Sequence, residues 1–210
     1  MSESTAVVMP VQSAAPMIGR LVVIGLGLIG GSFAKGLRER GLCREVVGVD
    51  LDPESRRLAV ELGVVDRCED SLAAACQGAA VIQLAVPILA MEKLLGELAK
   101  LELGDAVLTD VGSAKGSVVR AARLAFADKA VRFVPGHPIA GSEQSGVEAA
   151  NAELFRRHKV ILTPFEQSDE AALTLVDALW GALGADVEHM QVEHHDQVLA
   201  ATSHLPHLLA

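Results

Sequence analysis

The stretch Leu21-Val22-Val23-Ile24-Gly25-Leu26-Gly27-Leu28-Ile29-Gly30-Gly31 limits what this chain can fold into more than any other. Leu21 to Gly25 is an almost unbroken apolar run, as a strand buried on both faces of a parallel sheet requires. Gly25, Gly27 and Gly30 then keep the G-x-G-x-x-G spacing. Gly25 allows a tight turn, Gly27 lets backbone approach a pyrophosphate, and Gly30 lets the next helix pack closely on the strand. That helix opens near Leu28 and Ile29, so its first N–H groups and its positive dipole end would face the phosphates. A ligand-free glycine turn would share the bare pattern, so context decides. A helix-compatible run, Ser32 to Arg40, follows, and then Glu45-Val46-Val47-Gly48-Val49-Asp50. This second strand ends in an acid about 20 residues past the last glycine, where a carboxylate can accept hydrogen bonds from ribose hydroxyls.

The rest of the chain repeats the alternation of strand and helix. Asp52-Pro53-Glu54 reads as a cap with proline at the first helical position, and the helix runs to about Leu62 before Gly63 ends it. Asp50 and Asp52 compete for the ribose role. Asp50 is preferred because it sits at the strand end, and no arginine follows it until Arg56 and Arg57, a helical turn further on, which favours NAD over NADP. Ala79 to Val86 is a buried strand stopped by Pro87, so Ala85, Val86 and Pro87 are expected to wall the cofactor crevice. A helix to about Leu101, a turn at Gly104-Asp105 and a strand Ala106 to Asp110 come next. Ser113, in the polar exit of that strand, can cap the helix that runs through Arg123 or face cofactor and substrate. Ala130 to Val134 reads as a further strand. It opens into Pro135-Gly136-His137-Pro138-Ile139-Ala140-Gly141, a loop that leaves one imidazole little freedom. Asp169 to Gly181 is an amphipathic helix with Leu173, Val176, Leu179 and Trp180 inward. A short strand, Ala185 to His189, closes the domain, and the chain is helical again from Val192. The fold class is α/β, a Rossmann-type doubly wound, mostly parallel sheet.

Composition removes several classes of function. With 27 acidic against 18 basic residues, the formal charge of −9 disfavours nucleic acid as a partner. No apolar run reaches the roughly 20 residues that span a bilayer. Cys43, Cys68 and Cys76 lack C-x-x-C spacing and suit a reducing compartment. Residues 1–19 carry Glu3 and no positively charged leader before an apolar segment and read as a mobile tail, so the expected location is the cytoplasm. His194, His195, His204 and His207 invite a metal, but Pro206 lies between the last two and no Cys or carboxylate cluster completes a site, so none is expected.

Taken together, several blocks resemble the prephenate and arogenate dehydrogenases of tyrosine biosynthesis, also called cyclohexadienyl dehydrogenases. They are Gly25 to Ser32, Thr109-Asp110-Val111-Gly112-Ser113-Ala114-Lys115, and His137-Pro138-Ile139-Ala140-Gly141-Ser142-Glu143-Gln144-Ser145-Gly146. Leu154-Phe155, Leu162-Thr163-Pro164, His195-Asp196 and Ser203-His204-Leu205-Pro206-His207 complete the set, from about residue 20 to the last. The resemblance implies NAD-dependent oxidative decarboxylation, with His137 taking the proton of the ring hydroxyl and Ser113 orienting the reacting groups. It also implies Glu143 and His204 near the substrate entrance. A nucleotide domain over 20–190 is expected to pass, at 191–210, into the start of an all-helical domain that makes a homodimer. Family members find an arginine for the substrate carboxylates in that domain, and no residue here matches it. The 210 residues are therefore expected to be part of a longer chain, able to bind NAD without turning over prephenate alone. Two rivals stay open at this point. One is another two-domain dehydrogenase or imine reductase, and the other is a nucleotide sensor without turnover.

Overall fold

The computed structural model describes residues 18–200. Strand β1 (Ile18–Ile24) already includes residues 18 and 19, so the domain starts at residue 18 or earlier rather than at 20; residues 1–17 lie outside the description. Strands β2 (Cys43–Val49), β3 (Arg67–Cys68), β4 (Val81–Leu84), β5 (Val107–Asp110) and β6 (Phe133–Val134) join β1 in one parallel sheet. Its order is β3-β2-β1-β4-β5-β6. The order reverses between β1 and β4, and that switch point is where ligands bind in doubly wound sheets.

Alternation along each strand sorts the core onto two faces. Leu21, Val23, Val81 and Val107 pack with α1 (Leu28–Glu39), α2 (Pro53–Glu61) and α6 (Glu170–Ala182). Val22, Ile24, Ile82, Leu84 and Leu108 pack with α3 (Leu72–Cys76), α4 (Ile88–Leu98) and α5 (Lys115–Phe126). Trp180 centres the first face, its ring 4.5 Å from that of Phe33 and 4.9 Å from that of Phe155. Val176 and Leu179 are buried as expected, while Leu173 is half-buried. Asp52 caps α2, accepting from the Glu54 and Ser55 N–H groups at 3.2 and 3.1 Å.

Three expectations are corrected. The Ala130–Val134 strand shrinks to β6, because a 3-10 turn over Ala127–Arg132 takes up its first three residues. Arg132 in that turn bonds the Asp169 carboxylate and the Asp105 carbonyl. The His137 segment is a short strand, β7 (Gly136–Pro138), rather than a loop. It pairs antiparallel with β8 (Lys159–Leu162), which pairs in parallel with β9 (Asp186–His189). Val160, Ile161 and Leu162 bury the partner strand, and Pro138 is tolerated because β7 is an edge. The last predicted strand thus belongs to a second, three-stranded sheet. Finally, α7 (Val192–Leu199) lies against α5. Among the described residues no helix is long and apolar enough to cross a membrane.

Candidate active site

Strand register brings the site together. Val49, Ile24, Leu84 and Asp110 are successive partners across the sheet, and Thr109 pairs with Val134. One step beyond those ends, Asp50, Gly25, Ala85, Val111 and Gly136 form a row along the carboxyl edge. The bonds Gly25 N–H to Val49 O, Ala85 N–H to Ile24 O and Val111 N–H to Leu84 O continue the ladder into it.

The left half of that row is shaped for a dinucleotide. Gly25 has φ +98°, and a Cβ there would lie 2.3 Å from the Ala85 carbonyl oxygen. A Cβ on Gly30 would lie 2.1 Å from the Gly25 oxygen and 2.8 Å from the Ala85 Cβ, so α1 can sit this close only with glycine. Gly27 differs: nothing lies within 4 Å of its would-be Cβ, and it begins α1 with no side-chain cap. The open space at the helix N-terminus, next to Leu28 and Ile29, fits a pyrophosphate. Asp50 Oδ2 accepts the Leu26 N–H at 2.7 Å, which ties the end of β2 to the glycine turn. Asp52, the competitor, is committed to its cap. Arg56 is nearer than its place on the next helix suggests, donating to the Asp50 carbonyl at 2.6 Å and pairing with Asp70 at 2.9 Å. Ala85 and Val86 are half-buried and Pro87 exposed along the wall.

The right half is held by a buried ion pair. Lys115 Nζ donates to Asp110 Oδ2 at 2.5 Å and to the Gly136 carbonyl at 2.6 Å, and both side chains are fully buried. Asp110 also accepts the Gly112 N–H at 2.8 Å and the Gly136 N–H at 3.2 Å. The residue before His137 is therefore gripped at both its N–H and its C=O. Burial pulls the Lys115 ammonium down from its ordinary value, and the Asp110 carboxylate opposes that.

His137 lies at the edge of an open cleft of about 380 Å3, lined also by Ile139, Gly141, His158 and Leu199. Its Nδ1 is 2.9 Å from His195 Nε2, and His195 Nδ1 is 2.8 Å from Asp196 Oδ1. Asp196 in turn accepts the Lys115 N–H at 2.9 Å and the Gly116 N–H at 2.8 Å, so it caps α5 from a distant helix. Ser113 does not cap α5, whose first residue follows Ala114, and it is exposed. Burial pushes the His195 imidazole below its ordinary value, with Asp196 opposing. Burial alone would raise the Asp196 carboxyl. Its bonds to His195, Gly116 and Lys115 together outweigh that and hold it below the usual range. Glu143 is exposed on the segment after β7, and His204 lies outside the described residues. Sequence reasoning found His137 but missed Asp110, Lys115, His195 and Asp196 as partners. The available signal was an Asp ending a buried strand with a Lys five residues on.

A parallel sheet ordered 3-2-1-4-5-6, a glycine turn at its switch point and an imidazole on the same edge define a nucleotide-binding domain of the dehydrogenase class. The family profile described as prephenate dehydrogenase, nucleotide-binding domain, matches residues 33–189. The chain belongs to that family. It is 36% identical over 191 residues to a prephenate dehydrogenase of Bacillus subtilis, covering 90% of this chain and 51% of that protein. It is 37% identical over 193 residues to a cyclohexadienyl dehydrogenase of Zymomonas mobilis, covering 90% and 64%. The crystal structure of a prephenate dehydrogenase from Aquifex aeolicus in complex with hydroxyphenyl propionate and NAD+ superposes with a TM-score of 0.85. That match is 38% identical and covers 91% of this chain and 66% of that one. The chain thus spans about half to two thirds of the length of these relatives.

Proposed function

We propose that the protein oxidises prephenate with NAD and releases its ring carboxylate as CO2, and that arogenate is a second candidate substrate. The observation that carries this reading is the location of His137, fixed on the same carboxyl edge of the sheet that carries the glycine turn, in a chain of this family. Gly25, Gly27 and Gly30 would admit the pyrophosphate to the start of α1 at Leu28 and Ile29. Asp50 would accept the ribose hydroxyls, and Ala85, Val86 and Pro87 would wall the crevice. The nicotinamide supplies the hydride acceptor when bound. His137 accepts the hydrogen bond of the ring hydroxyl and takes its proton as the carbon–hydrogen bond breaks, a task suited to an imidazole at neutral pH. Loss of CO2 is driven by aromatisation, so the chain's remaining work is orientation. Ser113 orients the hydroxyl or the carboxamide, and Glu143 and His204 are the residues assigned to bind the substrate.

In the same reading, 20–190 is the nucleotide domain and 191 begins a helical domain that forms a homodimer and completes the substrate site in the intact polypeptide. The protein is cytoplasmic and, with its charge of −9, does not act on nucleic acid. NADH formation by the intact polypeptide tests the reading. Turnover with prephenate or arogenate is expected, and turnover only with simple hydroxy acids or imines would overturn it.

A further inference from the structure

We propose that His195 and Asp196 are positioning residues that set the tautomer of His137, so that its Nε2 carries the lone pair. This rests on the reading of His137 as the base. The Lys115 and Gly116 N–H groups at the start of α5 both point at Asp196, one to each oxygen. Backbone N–H groups can only donate, so Asp196 is held as an acceptor, and a helix N-terminus favours its charged form. An acceptor 2.8 Å from His195 Nδ1 requires the hydrogen on that nitrogen. His195 is fully buried, which favours the neutral ring, so its Nε2 bears a lone pair. That lone pair, 2.9 Å from His137 Nδ1, requires the hydrogen there. One tautomer of His137 then follows, with Nε2 as acceptor. A neutral ring in the opposite tautomer would present an N–H where a base is needed.

Space confirms how closely the chain is fitted. A Cβ on Gly116 would lie 2.7 Å from Asp196 Oδ2, so only glycine lets the carboxylate reach the helix end. The two rings meet edge to face, with centroids 5.2 Å apart, which directs one nitrogen of each at the other.

The test is made on the intact polypeptide by 15N NMR of the histidine rings, with kcat and KM measured in parallel. Wild type is expected to show neutral His137 protonated at Nδ1. His195→Leu removes the acceptor. It should shift His137 toward the Nε2–H form and lower kcat about 10²-fold, since a mis-set tautomer leaves a triad histidine in place but poorly active, with substrate KM within about twofold. His195→Gln, whose side-chain oxygen can accept the Nδ1 hydrogen, should restore the tautomer and most of kcat. Wild-type His137 protonated at Nε2, or equal loss in the Leu and Gln variants, would overturn the proposal. If His195→Leu fails to fold, the wild-type spectrum and the Gln variant still decide it. A fully active His137→Asn variant would defeat the assigned reaction, whereas the ring spectra would still judge the tautomer chain.

Discussion

Glycine differs in purpose among the three positions of the turn, and substitutions should separate them. Gly30→Ala places a methyl against the Gly25 oxygen and the Ala85 Cβ. Overpacking of this kind costs about 1–3 kcal/mol, so urea unfolding should show a lower midpoint. Gly27→Ala meets nothing within 4 Å, and its stability should change by less than about 0.5 kcal/mol. Its affinity for NAD should fall nonetheless, because the methyl projects into the space left for the pyrophosphate; unchanged affinity on calorimetric titration would contradict that assignment. Lys115 is a different case. Lys115→Met leaves Asp110 buried without its partner, and breaking a buried pair from one side costs about 3–5 kcal/mol. Restoring balance with Asp110→Asn in the same chain should recover part of that loss in the same denaturation assay. These residues also show what is legible in a sequence. The glycines, Asp50 and the Asp52 cap are read easily because their chemistry is local, set by neighbours within a few positions.

Among the elements, the informative contact is between α7 and α5. Asp196 caps a helix that starts 81 residues earlier, and His195 holds a ring 58 residues away. No local pattern announces either bond, which is why Ser113 reads as the cap in the sequence while Asp196 fills that role. The same distance hides β7. Its strand character comes from the buried run of β8, not from the Pro-Gly-His-Pro segment itself. The α7 contact gives the fold a pH dependence with a definite sign. His195 is buried with its folded value below the ordinary one, so the unfolded chain binds the proton more readily. Stability is therefore full above about pH 6.5 and falls as the pH drops from there toward the folded value. Thermal unfolding between pH 7.5 and pH 5.5 should show a decline that is flatter in His195→Gln; an equal slope would place the acid sensitivity elsewhere.

At the scale of the whole molecule, the doubly wound sheet sets a row of strand ends, and the glycine turn, Asp50, the crevice wall and the His137 segment lie along it. The buried parallel strands and the doubly wound class follow from apolar runs visible in the sequence, whereas the second sheet depends on pairings between distant segments. Because the glycine turn, Asp50 and the crevice wall all belong to the described residues, the 210-residue chain should bind NAD by itself. At a concentration of NAD about 100 times its Kd, binding stabilises a folded domain by about 2.7 kcal/mol, which a thermal shift would detect. The proposed reaction is to be tested on the intact polypeptide. The measurement that bears most directly on the account is NADH formation from prephenate and NAD by that polypeptide, comparing wild type with His137→Asn. A general base contributes about 10²- to 10⁴-fold, so kcat should fall by that order while NAD affinity stays the same. A variant with near-normal kcat would contradict the central claim that His137 takes the proton.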